Sequence, residues 1–410
     1  MSHLKKRLKL FRFPAFRWYL MSCILATTGA GLSYISITWM SLSNQNSVGS
    51  IAILMMCFWL PGVVLGPFMG VVVDRMPWRH HLLMTSNWAR AIVLTAFGAL
   101  FFYHRSLIGL YIMALLLGTF FSVYIPAAFR LTRELVPKEE LLYANATIDT
   151  TFELGNIAGM GFAGLLIAWV SGPGTLIINA AMFVLAGSML LFIKKDHLDV
   201  THNTQAKLDI IGDFKLGVSY ILSNKGVFVI YTIQLLLFLE YLTAPVLLAP
   251  YARNQLHASV TQFGYIEMYL SLGAVCGGLF LTWCADLFGL LRTALVTTII
   301  LGFCYAYFSM NHSILIAELL YFVVGICFAM WPLIITHAQH ITDIKFQGRV
   351  QSCFMSISGI AMILVYLAVK LGSHTISIHM LYWLEVCFSV ICALLIIFFE
   401  FFFKSDTGRS

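Results

Sequence analysis

GVVVDRMPWRH, Gly70 to His80, is a short charged turn wedged between two long apolar runs. Asp74, Arg75 and Arg79 carry its charges. A looser copy, Asp286–Leu287–Phe288–Gly289–Leu290–Leu291–Arg292, stands between two apolar runs in the second half of the chain. A charged turn recurring once per half, in surroundings this apolar, points to a membrane protein built by duplication.

The composition sets the solvent. Of the 410 residues, 60% are hydrophobic and 10% charged, against roughly 25% charged in ordinary soluble domains. No polar stretch is long enough to be a domain. The one sizeable gap between apolar runs, Lys194 to Ser223, is too short for a core of its own.

Twelve apolar runs follow: 16–42, 48–73, 81–103, 107–129, 142–170, 174–193, 226–250, 260–283, 290–310, 313–336, 347–371 and 378–403. Each can cross a hydrocarbon core of about 30 Å at about 1.5 Å per residue. Unpaired backbone is not tolerated in lipid, so the runs are expected to be helices; barrel strands would be half as long and alternating. The first run follows a basic segment, as a secretory signal does, but is much longer than a signal's apolar region, and reads as a retained first helix.

Basic residues set the expected orientation. With the N-terminus inside, 21 of the 25 Lys and Arg fall on the inner side, leaving Arg105, Arg253 and Lys370 outside and Arg90 within a span. Both termini are therefore expected to be cytoplasmic. The net charge of +7 reads as topology, with a basic arm at residues 5–17 against anionic headgroups, and no nucleic-acid partner is expected.

Several features carry little chemistry. All nine cysteines lie inside spans or directly at the end of one, where Cys acts as a small apolar residue. No pair has zinc-type spacing, and His337 with His340 reads as an interfacial polar turn, so neither metal nor cofactor is expected. Gly159-Met160-Gly161-Phe162-Ala163-Gly164 fits the dinucleotide fingerprint in letters only. It lies within an apolar run with Gly155 one turn earlier, so Gly155, Gly159 and Gly164 read as a helix-packing stripe. No Walker-type phosphate loop and no nucleophile–base arrangement occurs, which argues against ATP hydrolysis and against an enzyme.

Over nearly its whole length the chain resembles the major facilitator superfamily, and within it the branch with the enterobactin exporter and macrolide-efflux proteins. Gly70, Asp74, Arg75 and Arg79 match the family's loop between helices two and three. Tyr124–Ala128, then Glu134–Leu141 and Ala144–Ala146, are similar to the branch's end of helix four and start of helix five. Gln339 and Gly348–Val350 resemble its loop before helix eleven, and Ile211–Gly217 its amphipathic helix before helix seven. The glycines of the fifth span resemble an antiporter motif, with Met160 in place of its proline; His80 departs from the usual basic residue.

The resemblance implies an all-α membrane protein with twelve transmembrane helices in two pseudo-symmetric six-helix bundles. The bundles are expected at 1–193 and 226–410, joined by a cytoplasmic linker with an amphipathic helix at 194–225. It also implies a cytoplasmic gate formed by Asp74, Arg75, Arg79 and Arg349, repeated by Asp286 and Arg292. The competing reading makes these charges topology determinants in solvated loops.

Intramembrane ionisable residues carry the functional expectation, because a charge at mid-bilayer costs several kcal/mol and normally faces a cavity or a partner. Glu240 lies roughly 21 Å into the seventh span and Glu153 roughly 17 Å into the fifth, one turn after Asp149. Glu240 ranks first and Glu153 second for substrate or proton binding. Arg90 reads equally as a ligand contact and as a structural partner of a carboxylate. Glu267, Glu318 and Glu385 lie near the outer face and are expected to reach water. The resemblance puts spans one, four, seven and ten around the cavity. It thereby selects Tyr34, Trp39, Tyr124, Tyr241 and Trp331 as an aromatic lining, with Gln234 adding a hydrogen bond.

The expectation is a monomeric, proton-coupled secondary transporter in a bacterial inner membrane that exports a small amphiphilic molecule, a siderophore or a drug-like compound, by alternating access. With Arg90 the only deep cation, a neutral or cationic ligand fits better than a polyanion. Import and lysophospholipid flipping remain open alternatives.

Overall fold

In a computed structural model, the described residues are 7, 9–76, 79–193, 210–373 and 375–402; they are helical almost throughout, with no strand among them. Lys5 and Lys6 of the basic arm, linker residues 194–209 and His374 lie outside the described residues, as do the side chains of Asp74 and Arg75.

The helices are α1 (Pro14–Asn44), α2 (Val48–Arg75), α3 (Arg79–Tyr103), α4 (Leu107–Leu135), α5 (Leu141–Met189), α6 (Ile210–Ser223) and α7 (Lys225–Asn254). They continue with α8 (Val260–Phe288), α9 (Leu290–Phe308), α10 (Ile314–Phe328), α11 (Trp331–Ile341), α12 (Gln347–Gly372) and α13 (Ile378–Phe402). Among the described residues ten segments are long and apolar enough to cross a membrane. One of them, Tyr143–Phe192, contains two helices meeting at Ser171. Helix α3 is the twelfth crossing, 25 residues or about 38 Å long. Arg79, His80, His81, Asn87 and Arg90 hold its hydropathy down. The protein is thus an all-helical integral membrane protein.

Polarity is distributed for lipid. Asn87, Arg90, Gln234 and Glu240 are buried, whereas Ile92, Trp169, Leu279 and Phe303 are more than half exposed. A soluble protein would not leave so much large apolar surface open; lipid makes it the favourable arrangement.

One of the expected spans is built differently, and one junction between spans is strained. The tenth, expected as one run over 313–336, is broken: α10 ends at Phe328, Ala329 and Met330 form a turn, and α11 begins at Trp331 with Pro332 in its first turn. Proline fits the first turn of a helix, where its missing N–H is not needed, and so permits the restart. The fifth and sixth spans meet at Ser171, whose backbone (φ 68°, ψ 169°) lies outside the helical region, with Gly172 and Pro173 following. Only glycine adopts that region freely. Ser171→Gly is therefore expected to raise stability by about 1 kcal/mol, read as a higher unfolding midpoint of the purified protein. The corresponding strain is avoided at Gly289 (φ 90°, ψ 146°), the residue before α9.

The chain divides into two compact units: Met1–Asn46 with Ile53–Lys207 and Ser259–Met268, and Ser47–Ala52 with Leu208–Ala258 and Tyr269–Ser410. In the first, α1 lies along α5 and α3 packs on α4 and α5. In the second, α13 packs on α7 and α9, and α12 on α6 and α7. The α1–α5 contact is backbone to backbone. A Cβ on Gly159 would come within 2.2 Å of the Thr28 carbonyl oxygen, and one on Gly155 within 1.8 Å of Thr27 Oγ1. Gly164 meets Thr261 in the same way, at 2.3 Å from its Cα.

Candidate functional site

In the first unit Arg79 is fully buried and ion-paired with Glu134 at the end of α4, while its Nε–H donates to the Val73 carbonyl at 3.3 Å. It therefore closes the last turn of α2 and ties α2 to α4. Sequence reading quoted Glu134 only as part of a motif, and no local signal singled it out from the neighbouring charges Arg130, Arg133, Glu139 and Glu140.

Arg90 is buried in the same unit. Its Nη2 donates to Asn87 Oδ1 at 2.6 Å, and its guanidinium lies 4.6 Å from the ring centres of both Tyr124 and Phe183. The carboxylate partner considered for it is not there. Aromatic faces, each able to attract a desolvated cation, stand in its place. Tyr124 is correspondingly covered, with its hydroxyl against Cys23 Sγ at 3.9 Å.

Glu267, expected to reach water, is buried and accepts a hydrogen bond from Tyr34 Oη at 2.6 Å. Phe263, one turn earlier on α8, stacks on Trp39 at 5.8 Å and lies 6.4 Å from Tyr34. Glu153 is half-buried on α5. One turn earlier, Asp149 borders a shallow recess with Tyr19, Ala128, Thr132, Asn145 and Phe152.

In the second unit Glu240 has no exposed surface and its Oε1 accepts from Ser389 Oγ at 2.9 Å. It lies inside the helix packing rather than on an open wall. Glu385, the second residue expected to reach water, is also buried, one turn before Ser389 on α13 and close to Glu240. Both expectations of water access failed for one reason. Depth along a helix says nothing about which neighbour covers its face. Glu318 remains half-buried. Gln234 is fully buried with neither amide atom hydrogen-bonded among the described residues.

Around the α10–α11 break the unit carries an aromatic ledge. Phe238 stacks on Trp331 at 5.5 Å, and Tyr241 meets Phe328 edge-on at 5.3 Å. Tyr241 is about half exposed at 48%, so the ledge presents open ring surface. Arg292 pairs with Glu400 at 3.2 Å, not with Asp286, because α9 packs along α13. Arg349 is half-buried in the first turn of α12, where its carbonyl faces Gly217.

An interrupted tenth crossing and ionisable groups buried within crossings are features of polytopic membrane proteins that handle a solute inside the bilayer. The sequence profile of the Major Facilitator Superfamily matches residues 19–246 and 230–409. The chain belongs to that superfamily.

Among curated relatives it is 29% identical over 171 residues to an uncharacterized MFS-type transporter, YfiS, of Bacillus subtilis (strain 168), an alignment covering 42% of this chain and 40% of that one. It is 26% identical over 274 residues to the multidrug efflux pump Tap of Mycolicibacterium fortuitum, covering 63% of this chain and 64% of the pump. The chain thus spans less than two thirds of the length of either. Among solved structures, the nucleoside transporter NupG matches at a TM-score of 0.72 with 13% identity, over 94% of this chain and 99% of that one. A bacterial homologue of the iron transporter ferroportin, in an inward-facing state, matches at 0.74 with 13% identity over 94% and 98%. At such identities these likenesses concern the fold.

Proposed function

We propose that the chain is a secondary transporter that exports a small amphiphilic, drug-like molecule from a bacterial cell, coupled to protons and working by alternating access. In this reading it acts as a monomer in the cytoplasmic membrane with both termini inside, and its moving parts are two six-helix halves, 1–193 and 226–410. The gate charges Asp74, Arg75, Arg79, Asp286, Arg292 and Arg349 belong to the cytoplasmic side.

The observation that carries the reading is the aromatic ledge at the α10–α11 break. Phe238, Tyr241 and Trp331 offer ring faces to a flat or cationic ligand. Arg90, the only deep cation among the described residues, is already covered by two rings, which disfavours a polyanionic siderophore. Similarity to a protein named as a multidrug efflux pump agrees with this ligand class.

The test is a thermal-stability screen of the purified protein in detergent against a lipophilic cation, a macrolide, a catecholate siderophore and a lysophospholipid. A ligand at 100 times its dissociation constant stabilises the native state by about 2.7 kcal/mol. The lipophilic cation or the macrolide is expected to give the shift, and Trp331→Ala to remove most of it. A shift with the lysophospholipid alone would replace export of drug-like solutes by lipid flipping.

A further inference from the structure

The second unit contains two carboxyls that meet no cation among the described residues. Glu240 on α7 and Glu385 on α13 are 0% and 1% exposed. The two helices pack together, and the two side chains are close enough to interact electrostatically. Ser389, one turn after Glu385, donates to Glu240 at 2.9 Å, while Thr243, three residues after Glu240, turns its hydroxyl back to the Leu239 carbonyl at 2.8 Å. Helix α13 therefore contributes one carboxyl of the pair and the hydroxyl that serves the other. That bond, made one turn from Glu385, brings into one site two residues that lie 145 positions apart.

The site is under-satisfied. Glu240 Oε2 and Glu385 Oε2 have no hydrogen-bond partner among the described atoms. Tyr305 on α9 is an independent sign of the same thing. It is fully buried, its hydroxyl is unbonded, and it interacts with both carboxyls. The other titratable groups facing the pair are Tyr366 from α12, Cys327 from α10 and Cys392 from α13, with Tyr321 and Tyr382 around Tyr305. None of these brings positive charge. Tyr366 is already committed, donating to the Leu242 carbonyl at 2.8 Å.

Two negative charges side by side in such surroundings repel each other and lack solvation. One bound proton removes a charge and turns one orphaned acceptor into a donor. No group of three or more Asp, Glu, His or Cys placed to hold a metal ion occurs among the described residues. A proton needs no such shell.

We propose that Glu240 and Glu385 form a single proton-binding site that holds one proton between them, separate from the aromatic ledge that takes the substrate. Binding forms one O–H bond with a proton from water, and release returns that proton to water; no other bond changes. Because both carboxyls are enclosed, the proton is trapped in this conformation and exchanges only in another. The proposal rests on the proton-coupled reading above and gives Glu240 a partner within it. Glu385 is half of the site, not a surface charge.

Infrared difference spectroscopy of the full-length protein in detergent, titrated from acid to alkaline pH in H2O and D2O, tests this. Wild type is expected to show a protonated-carboxyl band whose loss releases one proton per molecule. The band should move in both Glu240→Gln and Glu385→Gln and vanish in the double variant. Glu318→Gln, a change to a half-buried carboxyl elsewhere in the same unit, should leave it in place. Ser389→Ala keeps both carboxyls and should shift the band without abolishing it.

A wild-type band surviving in the double variant overturns the proposal. So does a band abolished by one single variant and untouched by the other, since the proton would then belong to one residue. The signal needs no substrate, so it separates from the ligand screen. An intact, coupled band without any ligand shift removes the export reading and keeps the proton site; a ligand shift without the band does the reverse.

Discussion

Arg79→Met is expected to destabilise the protein by about 3 kcal/mol, the cost of leaving one member of a buried ion pair alone. Arg79 and Glu134 are both enclosed. With the guanidinium gone, Glu134 keeps Arg130 as its one cation within electrostatic reach among the described residues, and the Val73 carbonyl loses its donor at the end of α2. The double variant Arg79→Met with Glu134→Leu should recover much of the loss, because paired apolar groups of similar volume replace such a pair at little cost. Unfolding midpoints in detergent, arranged as a double-mutant cycle, give the coupling directly. Equal destabilisation by the single and double variants would mean that the guanidinium acts through packing and the Val73 carbonyl, and that the pair itself contributes nothing.

Gly325→Ala and Gly118→Ala should be comparably severe, for a different reason. A Cβ on Gly325 would lie 2.0 Å from the Leu270 carbonyl oxygen, and one on Gly118 would lie 1.9 Å from that of Phe58. Both obstacles are backbone, which cannot swing aside, so α10 and α8, or α4 and α2, would have to separate. Overpacking of that kind costs on the order of 3 kcal/mol. Gly278, also on α8, has nothing within 4 Å of the same position. Gly278→Ala should therefore be neutral or gain up to about 1 kcal/mol from helix propensity. Indistinguishable midpoints for Gly325→Ala and Gly278→Ala would show that α8 and α10 do not pack this closely.

These two glycines also reveal the duplication better than the charged turns do. Within the first unit a glycine of the fourth crossing meets a carbonyl of the second. Within the second unit a glycine of the tenth crossing meets a carbonyl of the eighth. The turn motif repeats only loosely: Arg79 is buried with Glu134, whereas Arg292 is exposed and paired with Glu400. Helix approach is held by backbone sterics in both units, while a loop charge is free to find a different partner in each.

The crossings were legible because lipid imposes a one-dimensional rule. A run of about 20 apolar residues is needed wherever the chain spans the bilayer, and that condition is local to the run. Even α3, with Arg79, Asn87 and Arg90 along it, could be placed because its polar residues sit among enough apolar ones. Aromatic side chains on the seventh and tenth crossings were legible by type. Their stacking into a ledge beside a broken helix was not, since the turn at Ala329–Met330 has no glycine and only Pro332 hints at it.

Sequence alone determined that this is an all-helical membrane protein, where its crossings lie, and which ionisable residues sit at depth. Only the tertiary structure decided what those residues meet. It put Arg90 between Tyr124 and Phe183, Glu267 under Tyr34, and Glu240 beside Glu385. A charge in a helix must be covered by something, but the identity of the cover depends on the rotation and pairing of helices far apart in the chain. Those are set by the summed packing of many side chains, and no single stretch of sequence encodes them.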